Sequence, residues 1–143
     1  MTIPKIWKRI TFLSVLTLIT NSYTAAKEII NIPLQNGDVT MNIRKAIESA
    51  KTDDIKIILE KGTYFCKPDY ATEKYCAITN HGNGSKKIIF PIKGFKKVEI
   101  EGNGATILCH GQLFPFLIEE CNEVKISGIT INWDIPFTFL AEV

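Results

Sequence analysis

Two histidines and four cysteines are all the imidazole and thiol this 143-residue sequence holds. No C-x-x-C pair occurs, so a structural zinc site is not expected. No D-x-D or similar acidic cluster occurs, so calcium is not expected, nor is any other cofactor. No long Lys/Arg stripe runs through the chain, which removes nucleic acid as a partner. No apolar run approaches the roughly 20 residues that span a bilayer. A dinucleotide fingerprint is also missing. Gly102-Asn103-Gly104 lacks its third glycine and leads into Ala105, Thr106 and Ile107, which read as strand, not helix. At 45% hydrophobic and 22% charged residues, the chain is neither disordered nor collagen-like.

The N-terminus differs from the rest. Lys5, Lys8 and Arg9 precede the apolar Ile10–Thr20, and the small and polar "NSYTAA" follows. That is the pattern of a signal peptide over residues 1–26, with cleavage after Ala26. An uncleaved anchor is the alternative. The expected location is therefore exported, periplasmic or secreted. No cysteine lies near the cleavage site, so a lipoprotein is not expected. Without the three basic residues the chain has fourteen Lys and Arg against fifteen Asp and Glu. The formal +2 thus belongs to the export signal.

Four cysteines follow: Cys66, Cys76, Cys109 and Cys121. An exported chain can hold disulfides, and four cysteines allow three connectivities. Cys66 with Cys76 closes a short loop and is the favoured pair. Cys109 and Cys121 lie beside apolar strands and read equally well as buried free thiols.

In "MNIRKAIESAK", Ile43, Ala46, Ile47 and Ala50 fall at i, i+3, i+4 and i+7, which predicts a helix over 41–51 with Thr40 as its N-cap. "DIKIILEKGTYFC" alternates as a strand, turns at Gly62 and resumes. Cys66 to Lys87 is polar and irregular, which predicts a long loop. "IIFPIKGF" is a short strand whose Pro91 argues for an edge or a bend.

"VEIEGNGATILCHG" from Val98 has a copy in "VKISGITINWDI" from Val124. Val98, Ile100 and Gly102 match Val124, Ile126 and Gly128, each 26 residues on, and Ile107 matches Ile131 at a spacing of 24. "IILEKGTYF" has the same shape. Self-similarity at such a period marks a solenoid. Rungs cannot bury their apolar side alone and must stack. The expected fold is all-β, a right-handed parallel β-helix. Val98 and Ile100 would face inward, the Gly-Asn-Gly would turn the corner between sheets, and the helix would cap the first rung. A simple hairpin at Asn103-Gly104 is the alternative, but it leaves the copy at Val124 unexplained. "FTFLAEV" ends on an apolar run without a polar cap, and about three rungs make a thin core. The expectation is that residues 27–143 are the capping segment and first rungs of a longer domain, inactive alone.

"DVTMNIRKAIESA" followed by "IKIILEKGTYF" resembles the opening of many exported β-helix proteins of the pectate-lyase-like superfamily. The run from Ile78 to Phe137 resembles the N-terminal part of glycoside hydrolase family 110, the bacterial exo-acting α-1,3-galactosidases. The pieces that carry it are "TNH" at 79–81, "CHG" at 109–111, "PF" at 115–116 and "NWDIPF" at 132–137. The resemblance implies an inverting hydrolase that removes terminal α-1,3-linked galactose from glycans. Inversion uses two carboxyl groups about 6.5–9.5 Å apart. In that family these lie in later rungs, so no catalytic residue is assigned here and both are expected beyond Val143. A polysaccharide lyase or polygalacturonase on the same scaffold, or a non-catalytic surface adhesin, are the other readings, because fold alone does not fix function.

Three residues are candidates for holding the sugar. Asp134 beside Trp133 offers a carboxylate and a ring, and His110 offers a hydrogen-bonding imidazole. Each has a plainer alternative: a turn aspartate, a packed tryptophan, a histidine bound to a neighbouring backbone. His81 reads as a loop residue. Glu119 and Glu120 are adjacent and would point to opposite strand faces. Asp53 and Asp54 read as solvated helix-exit residues. The expected partner is a galactose-terminated carbohydrate, with no membrane span after cleavage. The oligomeric state is open.

Overall fold

The computed structural model describes residues 26–78 and 82–135. The expected signal segment apart from Ala26, His81 and the Pro136–Phe137 end of the last motif therefore lie outside the described residues. The described chain is all-β with one α-helix. It runs β1 (Glu28–Ile32), α1 (Thr40–Glu48), β2 (Asp54–Leu59), β3 (Thr63–Cys66), a 3₁₀ turn (Pro68–Tyr70), β4 (Thr72–Ile78), β5 (Gly82–Lys93), β6 (Lys97–Cys109), β7 (Phe114–Glu119) and β8 (Glu123–Trp133).

Alternation of apolar and polar residues lets each strand bury one face, and parallel registry places those faces one above another. β1 pairs with β2, and β2 with the first half of β6. β3 pairs with the second half of β6, and β8 with both halves. Ile55, Val98 and Val124 therefore stand in one row, and Ile57, Ile100 and Ile126 in the next. Tyr64, Ile107 and Ile131 make a third row, and Cys66, Cys109 and Trp133 a fourth. The members on β2, β3 and β6 are all buried. Each fully buried Ile or Leu contributes roughly 1.5–3 kcal/mol relative to exposure. The copy read from Val98 to Val124 is thus a true strand-on-strand register, and Val98 and Ile100 face the core as expected.

The corner at Gly102-Asn103-Gly104 differs from the expectation. It does not pass the chain from one sheet to another. Both halves of β6 stay in one sheet, and the three residues form an irregularity between Glu101 and Ala105. Asn103 and Gly104 take positive φ, 51° and 82°, so one extra twist is absorbed inside a continuous strand. The Asn103 side chain donates to the Leu59 carbonyl, 3.0 Å, which ties the bend to β2.

The polar stretch after Cys66 is not a long loop. β4 and the first half of β5 form an antiparallel hairpin, Thr72 opposite Ile88 through Ile78 opposite Gly82. Its polar content misled the periodicity because a two-stranded ribbon need not bury a continuous apolar face. β5 then continues parallel to β7, with the Phe90 and Phe116 rings stacked at 4.9 Å. Pro91 lies inside β5 rather than ending it. β4 reaches only to Ile88, so Pro91 sits where β5 has a neighbour on one side alone, which is where a residue without N–H is tolerated.

The helix is shorter than the periodicity predicts, and Thr40 is not its N-cap. Val39 holds that position without a side-chain cap. Asp38 does the work instead. Its Oδ1 accepts from the Thr40 N–H at 2.9 Å, the Thr40 hydroxyl at 2.6 Å and the Lys67 N–H at 3.1 Å. Ile43 and Ile47 are buried, and α1 packs against β1, β5 and the 3₁₀ turn, so it covers the start of the stack.

The outward face carries alternating charge. Lys56 stands between Glu99 (3.7 Å) and Glu101 (2.6 Å), and Lys27 meets Glu99 at 2.5 Å. The Glu101 hydrogen bond leads in raising the Lys56 pKa, and the Lys27 bond leads in lowering that of Glu99. Exposed pairs of this kind add little stability, but opposite charges across strands favour the observed register. Among the described residues no helix is long and apolar enough to cross a membrane.

Candidate functional site

Where β3, β6 and β8 end, their backbones remain laddered for one step more. His110 N–H donates to the Cys66 carbonyl at 2.8 Å, and Asp134 N–H to the Cys109 carbonyl at 3.2 Å. This ladder sets His110 and Asp134 on adjacent layers. His110 Nδ1 and Asp134 Oδ2 are 2.7 Å apart, with side chains 41% and 31% exposed. An ionised carboxylate can only accept, so the ring donates through Nδ1, and Nε2 of a neutral ring is then an acceptor. The pair offers an open, pre-oriented set of polar atoms at the solvent face.

Alternation decides what else stands there. Cys66, Cys109 and Trp133 face the interior, so Phe65 and Lys67, next to Cys66, lie on the other face. The Phe65 ring lies 5.7 Å from the His110 ring, tilted by 56°, and the Lys67 ammonium lies 5.5 Å from the Phe65 centroid. The outer surface therefore groups a carboxylate, an imidazole, an aromatic ring and a cation. A ring face of this kind can lie against apolar C–H groups, and the carboxylate and imidazole beside it can hydrogen-bond polar ones.

The candidates read from sequence thus divide. His110 and Asp134 come together. Trp133 does not join them: it is half-buried and packs against the core cluster, because neighbours along a strand point to opposite faces. The aromatic ring at this surface is Phe65, which the sequence reading overlooked. Superposing "GTYFCK" on "ATILCHG" and "ITINWD" would have placed Phe65 and Lys67 in this group.

Glu119, Glu120 and Asp53 are engaged in ion pairs. Glu119 contacts Lys74, whose hydrogen bond leads in holding its carboxyl below the usual range. Glu120 leaves the strand at φ 52° and faces Lys93 at 3.7 Å, so the two adjacent glutamates serve different cations. Asp53 pairs with Lys96 at 2.7 Å, and Asp54 opens β2. Among the described residues no group of three or more His, Cys, Asp or Glu could hold a metal ion.

Cys66 and Cys76, the favoured disulfide pair, are not brought together. All four cysteines are free, Cys66 and Cys109 buried and the other two half-buried. Cys66 points into the core from β3, while Cys76 lies on β4 in the other sheet, opposite Gly84. Nearness in sequence did not translate into facing side chains.

If the surface pair binds ligand more than it supports the fold, His110→Ala and Asp134→Ala should shift the urea midpoint by well under the equivalent of about 1 kcal/mol. A larger loss in either variant would make the pair a contact that holds the fold.

No family model matches this chain. Curated relatives do. It is 26% identical over 106 residues to alpha-1,3-galactosidase A of Shewanella woodyi, covering 73% of this chain and 17% of that protein. It is 29% identical over 134 residues to alpha-1,3-galactosidase B of Bacteroides thetaiotaomicron, covering 88% and 22%. It is 29% identical over 112 residues to alpha-1,3-galactosidase A of Bacteroides fragilis, covering 73% and 18%. The chain spans about a fifth of the length of these relatives. The resemblance to α-1,3-galactosidases read from the motifs is therefore a similarity over most of this chain and a small part of theirs.

Proposed function

We propose that this chain is the N-terminal part of an exported glycoside hydrolase that removes terminal α-1,3-linked galactose with inversion. The similarity to several curated alpha-1,3-galactosidases over most of the chain carries the reading. The scaffold in this proposal is a right-handed parallel β-helix. Stacked parallel strands in two sheets, with the chain passing from one sheet to the other and back, support it. The strong preference of parallel crossovers for one hand supplies the handedness.

In this reading residues 1–26 are a signal peptide, and 27–143 are the capping segment and first layers of the domain. His110, Asp134 and Phe65 contribute to holding the glycan. The acid and base that inversion needs, two carboxyl groups with room for water between them, belong to parts of the full-length enzyme outside this match. The present chain then binds and positions but does not hydrolyse.

The direct test is full-length protein assayed on α-1,3- and α-1,4-linked galactosides. Galactose release from the first alone is expected, with the β-anomer as initial product. No release from either substrate would end the galactosidase reading.

A further inference from the structure

Parallel strands place directly opposed residues on one face, about 4.7–4.9 Å apart along the hydrogen-bonding direction. Cys66 and Cys109 are such a pair: Cys66 on β3 lies opposite Cys109 on β6. Both side chains face inward, neither is exposed, and both are free thiols in this structure. That separation falls within the Cα–Cα range of 4.4–6.8 Å that disulfides span. The other two cysteines are positioned otherwise. The Cys76 thiol lies 3.7 Å from the Lys74 carbonyl. The Cys121 thiol lies 3.2 Å from the Glu119 carbonyl and 3.9 Å from that of Ile92. Cys76 is on β4 of the second sheet, and Cys121 follows β7.

We propose that Cys66 and Cys109 are a disulfide-forming pair that staples β3 to its neighbour β6 on the core-facing side of the sheet. The bond closes a long loop that contains the whole β4–β5 hairpin, where a covalent link removes much unfolded-chain entropy. Chemically, two thiols lose two protons and two electrons to form the S–S bond. A disulfide oxidant, such as oxidised glutathione or an oxidised thiol–disulfide oxidoreductase, is reduced to two thiols in exchange. Burial pushes the Cys66 thiol up to about 12 and the Cys109 thiol up to about 11, so thiolate is scarce once the fold has closed. The bond therefore forms during folding, while both strands are still open to the oxidant.

The full chain, made in an oxidising compartment or refolded with oxidised glutathione, is alkylated without reduction, digested and mapped by mass spectrometry. A peptide joined through Cys66 and Cys109, with Cys76 and Cys121 alkylated, is expected. Cys66 joined to Cys76, or Cys66 and Cys109 both alkylated, would overturn the proposal. The Cys76→Ser/Cys121→Ser chain should lose two hydrogen atoms in intact mass on oxidation. Its thermal midpoint should fall on the order of 10 °C on reduction. Cys66→Ser/Cys109→Ser should show neither change, and a mass loss there would assign the bond elsewhere.

Discussion

Gly102→Ala is expected to destabilise the chain by roughly 3–5 kcal/mol, most of what a domain of this size has in hand. A Cβ at position 102 would collide with the Ile129 side chain and the Gly128 carbonyl oxygen, and would sit 2.8 Å from the Gly128 carbonyl carbon. The obstacle is backbone of the next strand, which cannot move away without breaking the β6–β8 register that runs along both halves of β6. The control is Gly94→Ala. Nothing lies within 4 Å of a Cβ there, so only the left-handed φ of 77° is penalised, at about 1–2 kcal/mol. Urea unfolding of the two variants beside the parent decides the matter. Equal midpoints would mean that β8 does not press on β6 at this glycine.

Tyr64→Phe is expected to cost about 2–3 kcal/mol although it removes a single oxygen. Tyr64 is fully buried. Its hydroxyl donates to the Ile32 carbonyl at 2.7 Å and accepts from the Glu60 N–H at 2.9 Å, so it joins β1 to the end of β2. Deleting it removes a partner from the buried Ile32 carbonyl and from the part-buried Glu60 N–H. The variant also tests an alkaline transition. Burial is the main cause raising the Tyr64 pKa, partly offset by the Glu60 hydrogen bond. A phenol whose folded pKa lies above its unfolded value near 10 favours the fold while neutral in both states. Stability is then lost as pH climbs above the unfolded value toward the folded one. Stability measured from pH 8 to 11 should fall more steeply in the parent than in Tyr64→Phe. Parallel curves would show that another group drives alkaline unfolding.

Gly102 and Tyr64 also mark how far a sequence can be read. The internal copy from Val98 to Val124 was visible because stacked parallel strands must repeat their apolar pattern in step, and that same pattern named the buried rows. The β4–β5 hairpin was invisible, because its polar residues satisfy each other across a ribbon instead of burying a face. Thr40 satisfied a capping rule, yet Asp38 holds the helix start, since either oxygen fits the pattern and only the chain path past Lys67 selects between them.

The candidate site divides in the same way. His110 and Asp134 could be named from their types and neighbours, but their 2.7 Å contact depends on a spacing of 24 residues that only the register makes adjacent. Trp133 was drawn in by its place next to Asp134, and strand alternation turned it away. Phe65 was left out by its distance in sequence, and the stack brought it in. By itself, then, the sequence determined the all-β class, the repeating strands, their inward residues and the resemblance to α-1,3-galactosidases, because those follow from local periodicity and motif. Which ring, carboxylate and imidazole share a surface, and which two cysteines face each other, was decided only by the tertiary structure. Pairing across parallel strands joins residues dozens of positions apart, and no local rule specifies that pairing.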